Sequence, residues 1–100
     1  MQDWLNNINK AFESRLRLGI MSILVVNDWV EFARLKELLE TTDGNLASHI
    51  SALEKLNYIE ARKQFLGKKP NTTYRVTQMG RDNFKSHLTA LENMLKNNNK

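Results

Sequence analysis

Hydrophobic residues recur along this chain at helical spacing over most of its length and switch to a two-residue alternation between residues 59 and 77. Near the N-terminus, Trp4, Leu5, Ile8, Ala11 and Phe12 fall on one side of a short helix flanked by asparagines, leaving an apolar face with nothing local to bury it. Leu16, Ile20, Ile23 and Leu24 mark a second helix over residues 14–26, which Asn27-Asp28 ends. After a short extended piece at 29–31, a third helix over 33–40 turns Leu35, Leu38 and Leu39 inward. Thr41-Thr42-Asp43-Gly44 then reads as a turn, with N-cap candidates at Thr42 and Asp43. A fourth helix over 45–56 carries the stripe Leu46, Ile50 and Leu53, and Asn57 stands where a residue tolerant of left-handed backbone would end it.

The alternation predicts paired strands over 59–65 and 72–77, with Phe65 and Tyr74 pointing to the core. The intervening Leu66-Gly67-Lys68-Lys69-Pro70-Asn71 is too long for a tight two-residue turn, which predicts a loop that moves when free. The last helix, over 78–97, spaces Phe84, Leu88, Leu91 and Leu95 as a short coiled-coil-like seam. With 100 residues, no internal repeat and no linker-like stretch, the chain is expected to form one domain over 1–100, of α+β class and mostly α.

Helix, short strand, helix, turn, helix and two-stranded hairpin is the order of a winged helix-turn-helix. Its use follows from dimensions: a helix fits the major groove of B-form DNA, and a hairpin beside it reaches the neighbouring backbone or minor groove. The helix after the turn, 45–56, is then the recognition helix. Its core stripe leaves Asn45, Ser48, Ser51, Ala52 and Lys55 outward with His49 at the margin, a set of small and polar residues that permits close approach to a groove.

Charge sharpens this picture. Between Ile59 and Arg81 stand Arg62, Lys63, Lys68, Lys69, Arg75 and Arg81 against Glu60, a local +5 in a chain whose total is +4, so the remainder carries −1. The excess is confined to the hairpin and its exit, as expected of an electrostatic footprint. Two adjacent lysines at a hairpin tip repel each other until something negative approaches, and a phosphate backbone is such a partner.

The run from Phe32 to Phe84 resembles the single-domain winged-helix transcriptional regulators related to the MarR and ArsR groups. The resemblance lies in Asp43-Gly44-Asn45-Leu46 opening the recognition helix and in Ser48-His49 within it. It continues through Leu53-Glu54-Lys55-Leu56-Asn57-Tyr58-Ile59 into the wing, where Phe65, Gly67, Lys68, Lys69, Pro70, Thr72, Tyr74, Val76, Thr77 and Gly80 complete the pattern. It implies a dimeric regulator that binds double-stranded DNA, with helix contacts from Asn45, Ser48 and His49 and wing contacts from Lys68, Lys69, Thr72 and Arg75. Arg62, Ser51, Ala52 and Lys55 share those surfaces. The apolar faces at the two ends, Trp4, Leu5, Ile8 and Phe12 in residues 1–12 and Phe84, Leu88, Leu91 and Leu95 in 78–97, would pack across a two-fold axis as the dimer interface.

Enzymatic chemistry finds little support. There is no cysteine, so thiol catalysis, disulfides and thiolate metal sites fall away together. His49 and His87 lack a carboxylate at metal-ligand spacing, the four glycines are scattered, and Glu37 sits among Arg34 and Lys36 as on a solvated helix face. No cofactor is expected. The longest apolar run, 19–26, is interrupted by Ser22 and reads as a core helix, and the N-terminus lacks a signal-peptide pattern, so a cytoplasmic location and no membrane partner are expected. The rival reading is a winged helix that binds protein instead of DNA through Trp4, Phe12 and the C-terminal seam. The residues identify no small-molecule effector.

Overall fold

A computed structural model describes residues 7–97. A single 3-10 turn, Lys10–Phe12, leads into helix α1 (Arg15–Leu24), which Ser14 caps by accepting a hydrogen bond from the Arg17 backbone N–H. Strand β1 (Val30–Glu31) precedes α2 (Phe32–Leu39), and α3 (Asp43–Lys55) follows a turn in which Glu40 takes left-handed backbone at φ 48°. Strands β2 (Ile59–Leu66) and β3 (Lys69–Val76) form the hairpin, and α4 (Gln78–Asn97) closes the chain. The sheet is antiparallel in the order β1-β3-β2. Its inner face carries Val30, Ile59, Tyr74 and Val76 onto Ile20, Met21, Leu24, Leu35, Leu46, Ile50 and Leu53 of the first three helices. No described helix is long and apolar enough to cross a membrane.

The helix-turn-helix and its boundaries follow the periodicity closely, and Asn57 takes left-handed backbone at φ 61° as expected of the residue that ends α3. The hairpin differs. Leu66 pairs with Lys69 and Phe65 with Pro70, so the connection is the two-residue turn Gly67-Lys68 and not a six-residue loop. Gly67 has φ +66° and no other residue of the tip has a positive φ, the pattern of a type II′ turn, which matches the twist of the flanking strands. Pro70 is tolerated inside β3 because β1 pairs with that strand only at Thr73 and Tyr74, leaving the outer edge open where proline lacks its N–H.

The N-terminal segment also departs from expectation. Residues 7–9 are not helical, and Trp4 and Leu5 lie outside the described residues. Phe12 is wholly buried in the chain's own core, where its ring lies 5.4 Å from Tyr58, 5.3 Å from Phe84 and 5.3 Å from the His87 imidazole. Phe84 is buried with it at 6% exposure. Neither ring is free to reach across a two-fold axis, so both leave the expected interface; burying an aromatic inside one subunit already satisfies its apolar surface.

His87 fastens this corner. Its Nδ1 accepts the Asn9 backbone N–H at 3.1 Å, while the Asn9 side-chain amide donates to the Tyr58 hydroxyl at 2.9 Å. Burial pushes the imidazole below its ordinary pKa, with nearby Glu13 opposing the shift. Folding therefore favours the neutral ring, and the unfolded chain binds the extra proton. The stability this contributes is complete above the unfolded pKa of about 6.5 and is lost as pH falls through the lower folded value. The urea midpoint is expected to decline between about pH 7 and pH 5 in the wild type and to decline less in His87→Gln, which keeps an acceptor but cannot titrate. Parallel pH profiles for the two proteins would remove His87 as the cause.

Candidate nucleic-acid interface

Helix α3 is set by its own first turn. Thr42 accepts the Asn45 backbone N–H at 3.2 Å, and Asp43 places an acid at the helix N-terminus, where Lys36 meets it at 3.0 Å. Because Leu46, Ile50 and Leu53 are buried, Asn45, Ser48, Ser51 and Lys55 project outward and are exposed, with Ala52 half-buried between them. His49 is half-buried at the margin and is not free on both sides: Arg17 of α1 donates from Nε to its Nδ1 at 3.0 Å. The neutral ring then carries its proton on Nε2, which presents a donor and not an acceptor. Nothing in the sequence singles out Arg17 for this role, because no local pattern links positions 32 residues apart. Arg15, Asn45, His49 and Thr41 line an open cleft between α1 and α3.

The wing sorts its cations into two groups. Arg62 and Arg75 lie over Trp29, with guanidinium carbons 4.3 Å and 4.6 Å from the ring centroid. Arg75 is further paired with Glu60, directly across the hairpin. Arg81 donates to the Val25 carbonyl at the end of α1 at 2.9 Å. Three of the six basic residues are thus engaged at the base of the wing, and Arg75 is the least available of the expected contacts. Among the described residues no ion pair reaches Lys63, Lys68 or Lys69, all exposed. Thr72 stands opposite Lys63 on β3. The uncommitted charge is gathered toward the tip, with Lys63 three residues short of Leu66.

Beyond its pairing with β1 the hairpin continues as a free two-stranded ribbon. The pairs from Lys63 with Thr72 to Leu66 with Lys69 extend it by about 13 Å, at ~3.3 Å per residue. Helix α4 projects as well: Leu88 faces away from buried His87 and Ala90, and Leu91 and Leu95 follow where the helix continues beyond them, so all three are exposed.

A helix-turn-helix with a small sheet and a projecting hairpin defines the winged-helix class. Residues 16–95 match the winged helix DNA-binding domain family, and the chain belongs to it. An uncharacterized protein of Methanocaldococcus jannaschii is 34% identical over 88 residues, which cover 88% of this chain and 96% of that one. Among solved structures, a transcriptional regulator homologue from Pyrococcus horikoshii superposes with TM-score 0.78 at 27% identity, covering 96% of this chain and 97% of the other. YusO of Bacillus subtilis has TM-score 0.77 at 15% identity, covering 95% of this chain and 67% of its own, a likeness of fold.

Proposed function

We propose that this chain is a sequence-specific regulator of transcription that binds double-stranded DNA as a homodimer, with α3 in the major groove and the wing on the backbone or minor groove. Family and fold point to a transcriptional regulator and not to an enzyme. The observation that carries the DNA reading is the cluster Lys63, Lys68 and Lys69 on the wing, exposed and without an ion pair among the described residues. A duplex supplies the missing anions, and each phosphate neutralised releases counterions. Asn45, Ser48, Ser51 and Lys55 face the groove, with His49 offering Nε2–H to an acceptor on a base edge or a phosphate.

Pairing through α4 gives Leu88, Leu91 and Leu95 the apolar cover they lack among the described residues of one subunit. Two recognition helices related by that axis address half-sites about one helical turn apart. An operator that overlaps a promoter, once occupied, excludes other proteins from the same DNA, and repression is the action we propose.

Selection of bound duplexes from a random pool tests this. Enrichment of palindromic half-sites spaced by about one turn is expected, together with sedimentation as a dimer that Leu88→Glu/Leu91→Glu converts to a monomer with weaker operator binding. No retained duplex at low salt would refute the DNA reading and favour a protein-binding winged helix; a wild-type monomer would refute the dimer.

A further inference from the structure

The wing tip carries something its lysines do not explain. Phe65 is 73% exposed and Leu66 59% exposed, beside the Gly67-Lys68 turn at the end of the free ribbon. By strand alternation Phe65 shares a face with Ile59 and Ala61, which pack in the body, but the ribbon has outrun the helices before Phe65 is reached. Pro70 stands directly across from it, so the apex of that face is an aromatic ring beside a proline, with Leu66 and Lys69 on the opposite face. The turn holding them is short and has the backbone that suits a twisted hairpin, which fixes the direction in which the ring is presented.

We propose that Phe65 is an apolar wedge that enters the minor groove of the bound duplex and partly unstacks a base step, bending the DNA around the dimer. This rests on the DNA-binding reading above and adds a mode of contact to it. Three observations support it together. The free ribbon is about 13 Å long, more than the minor groove's depth of about 7.5 Å. A groove about 6 Å wide admits one side chain from a ribbon's end more readily than the ribbon itself. Lys63 on the ring's own face, Lys68 in the turn and Lys69 on the opposite face give the ribbon's end a positive charge complementary to the two phosphate backbones that border the groove. Apolar side chains inserted from a cationic element unstack a step and kink the duplex toward the major groove, and pyrimidine–purine steps yield most readily.

The wedge therefore selects sequence by deformability. TA or CA steps are expected where the wings fall, outside the half-sites read by α3, at positions with no hydrogen-bonded base contact.

The test uses a selected duplex of about 30 base pairs, labelled at both ends for energy transfer and carrying 2-aminopurine at the flanking TA or CA step. Wild-type protein is expected to bend it by about 20° or more and to raise 2-aminopurine emission as the base unstacks. Phe65→Ala should lose both signals at saturating protein, with its thermal midpoint unchanged because the side chain is exposed, and Phe65→Leu should restore part of each. Lys68→Ala/Lys69→Ala should bind more weakly yet still bend the duplex once saturated. Equal bending and emission for wild type and Phe65→Ala would overturn the wedge while leaving DNA binding intact. Absence of any duplex binding by the wild type would overturn both readings. If bending is unaffected but Phe65→Ala abolishes co-sedimentation with phosphatidylglycerol-containing vesicles, the tip belongs to a membrane surface and the wedge is wrong.

Discussion

Gly80→Ala is expected to cost about 3 kcal/mol or more, a loss reached by few single added methyl groups. A Cβ at Gly80 would lie 2.0 Å from the Tyr58 carbonyl oxygen, 2.7 Å from its carbon and 2.9 Å from its Cα. These are backbone atoms with no rotamer to yield. They are also held in place: the Tyr58 carbonyl accepts the Thr77 N–H at 3.0 Å, and the Thr77 hydroxyl donates to the Asn57 carbonyl at 2.6 Å while accepting the Gly80 N–H at 2.9 Å. At ~4–8 °C per kcal/mol for a domain of this size, the thermal midpoint should fall by at least about 12 °C. Gly44→Ala is the matched control. Nothing lies within 4 Å of its added Cβ, and alanine is the better helix former, so a gain of about 0.5–1 kcal/mol is expected there. A Gly80→Ala protein melting with the wild type would show that the packing of α4 on the end of α3 is slack.

The second large effect is on binding. Lys68→Ala/Lys69→Ala should weaken duplex affinity by roughly ten- to a hundredfold at about 0.1 M salt and reduce the steepness of the log-log salt dependence by about two, near 0.9 for each phosphate left without its lysine. Fluorescence anisotropy at several salt concentrations measures both. Arg75→Ala separates this from a general charge effect: its guanidinium already serves Glu60 and Trp29, so its removal should change the salt slope little. If Arg75→Ala flattens the slope as much as the lysine pair does, the division of the wing's cations into engaged and free groups is wrong. An unchanged slope in the double variant would remove the tip from the interface.

The four main helices and the two long strands were readable because a 3.6-residue stripe and a two-residue alternation are local signals, carried by residues such as Leu46, Ile50 and Leu53. So was the end of α3, since asparagine is one of the few residues that accept left-handed backbone. The concealed features are those decided across the fold. Lys69-Pro70 looks like loop sequence, and only the short reach of β1 makes proline acceptable in β3. Phe65 obeys the alternation, yet its burial depends on how far the helices extend beneath the ribbon, which no strand pattern records. Phe84 and Leu88 read as one seam, but the first packs against Phe12 while the second lies on a face turned away from buried His87 and Ala90 and is exposed. The hold of Arg17 on His49 and the stacking of Arg62 and Arg75 on Trp29 join residues far apart in sequence.

The junction of Asn57, Tyr58, Thr77 and Gly80 has a mechanical consequence. Helix α3 ends and α4 begins at this one hydrogen-bonded junction, which ties the direction of one helix to that of the other. In the proposed dimer, a small change in the angle at which the C-terminal helices cross would swing both recognition helices together, altering their separation without distorting either. In that dimer the crossing angle would act as a gauge for operator spacing.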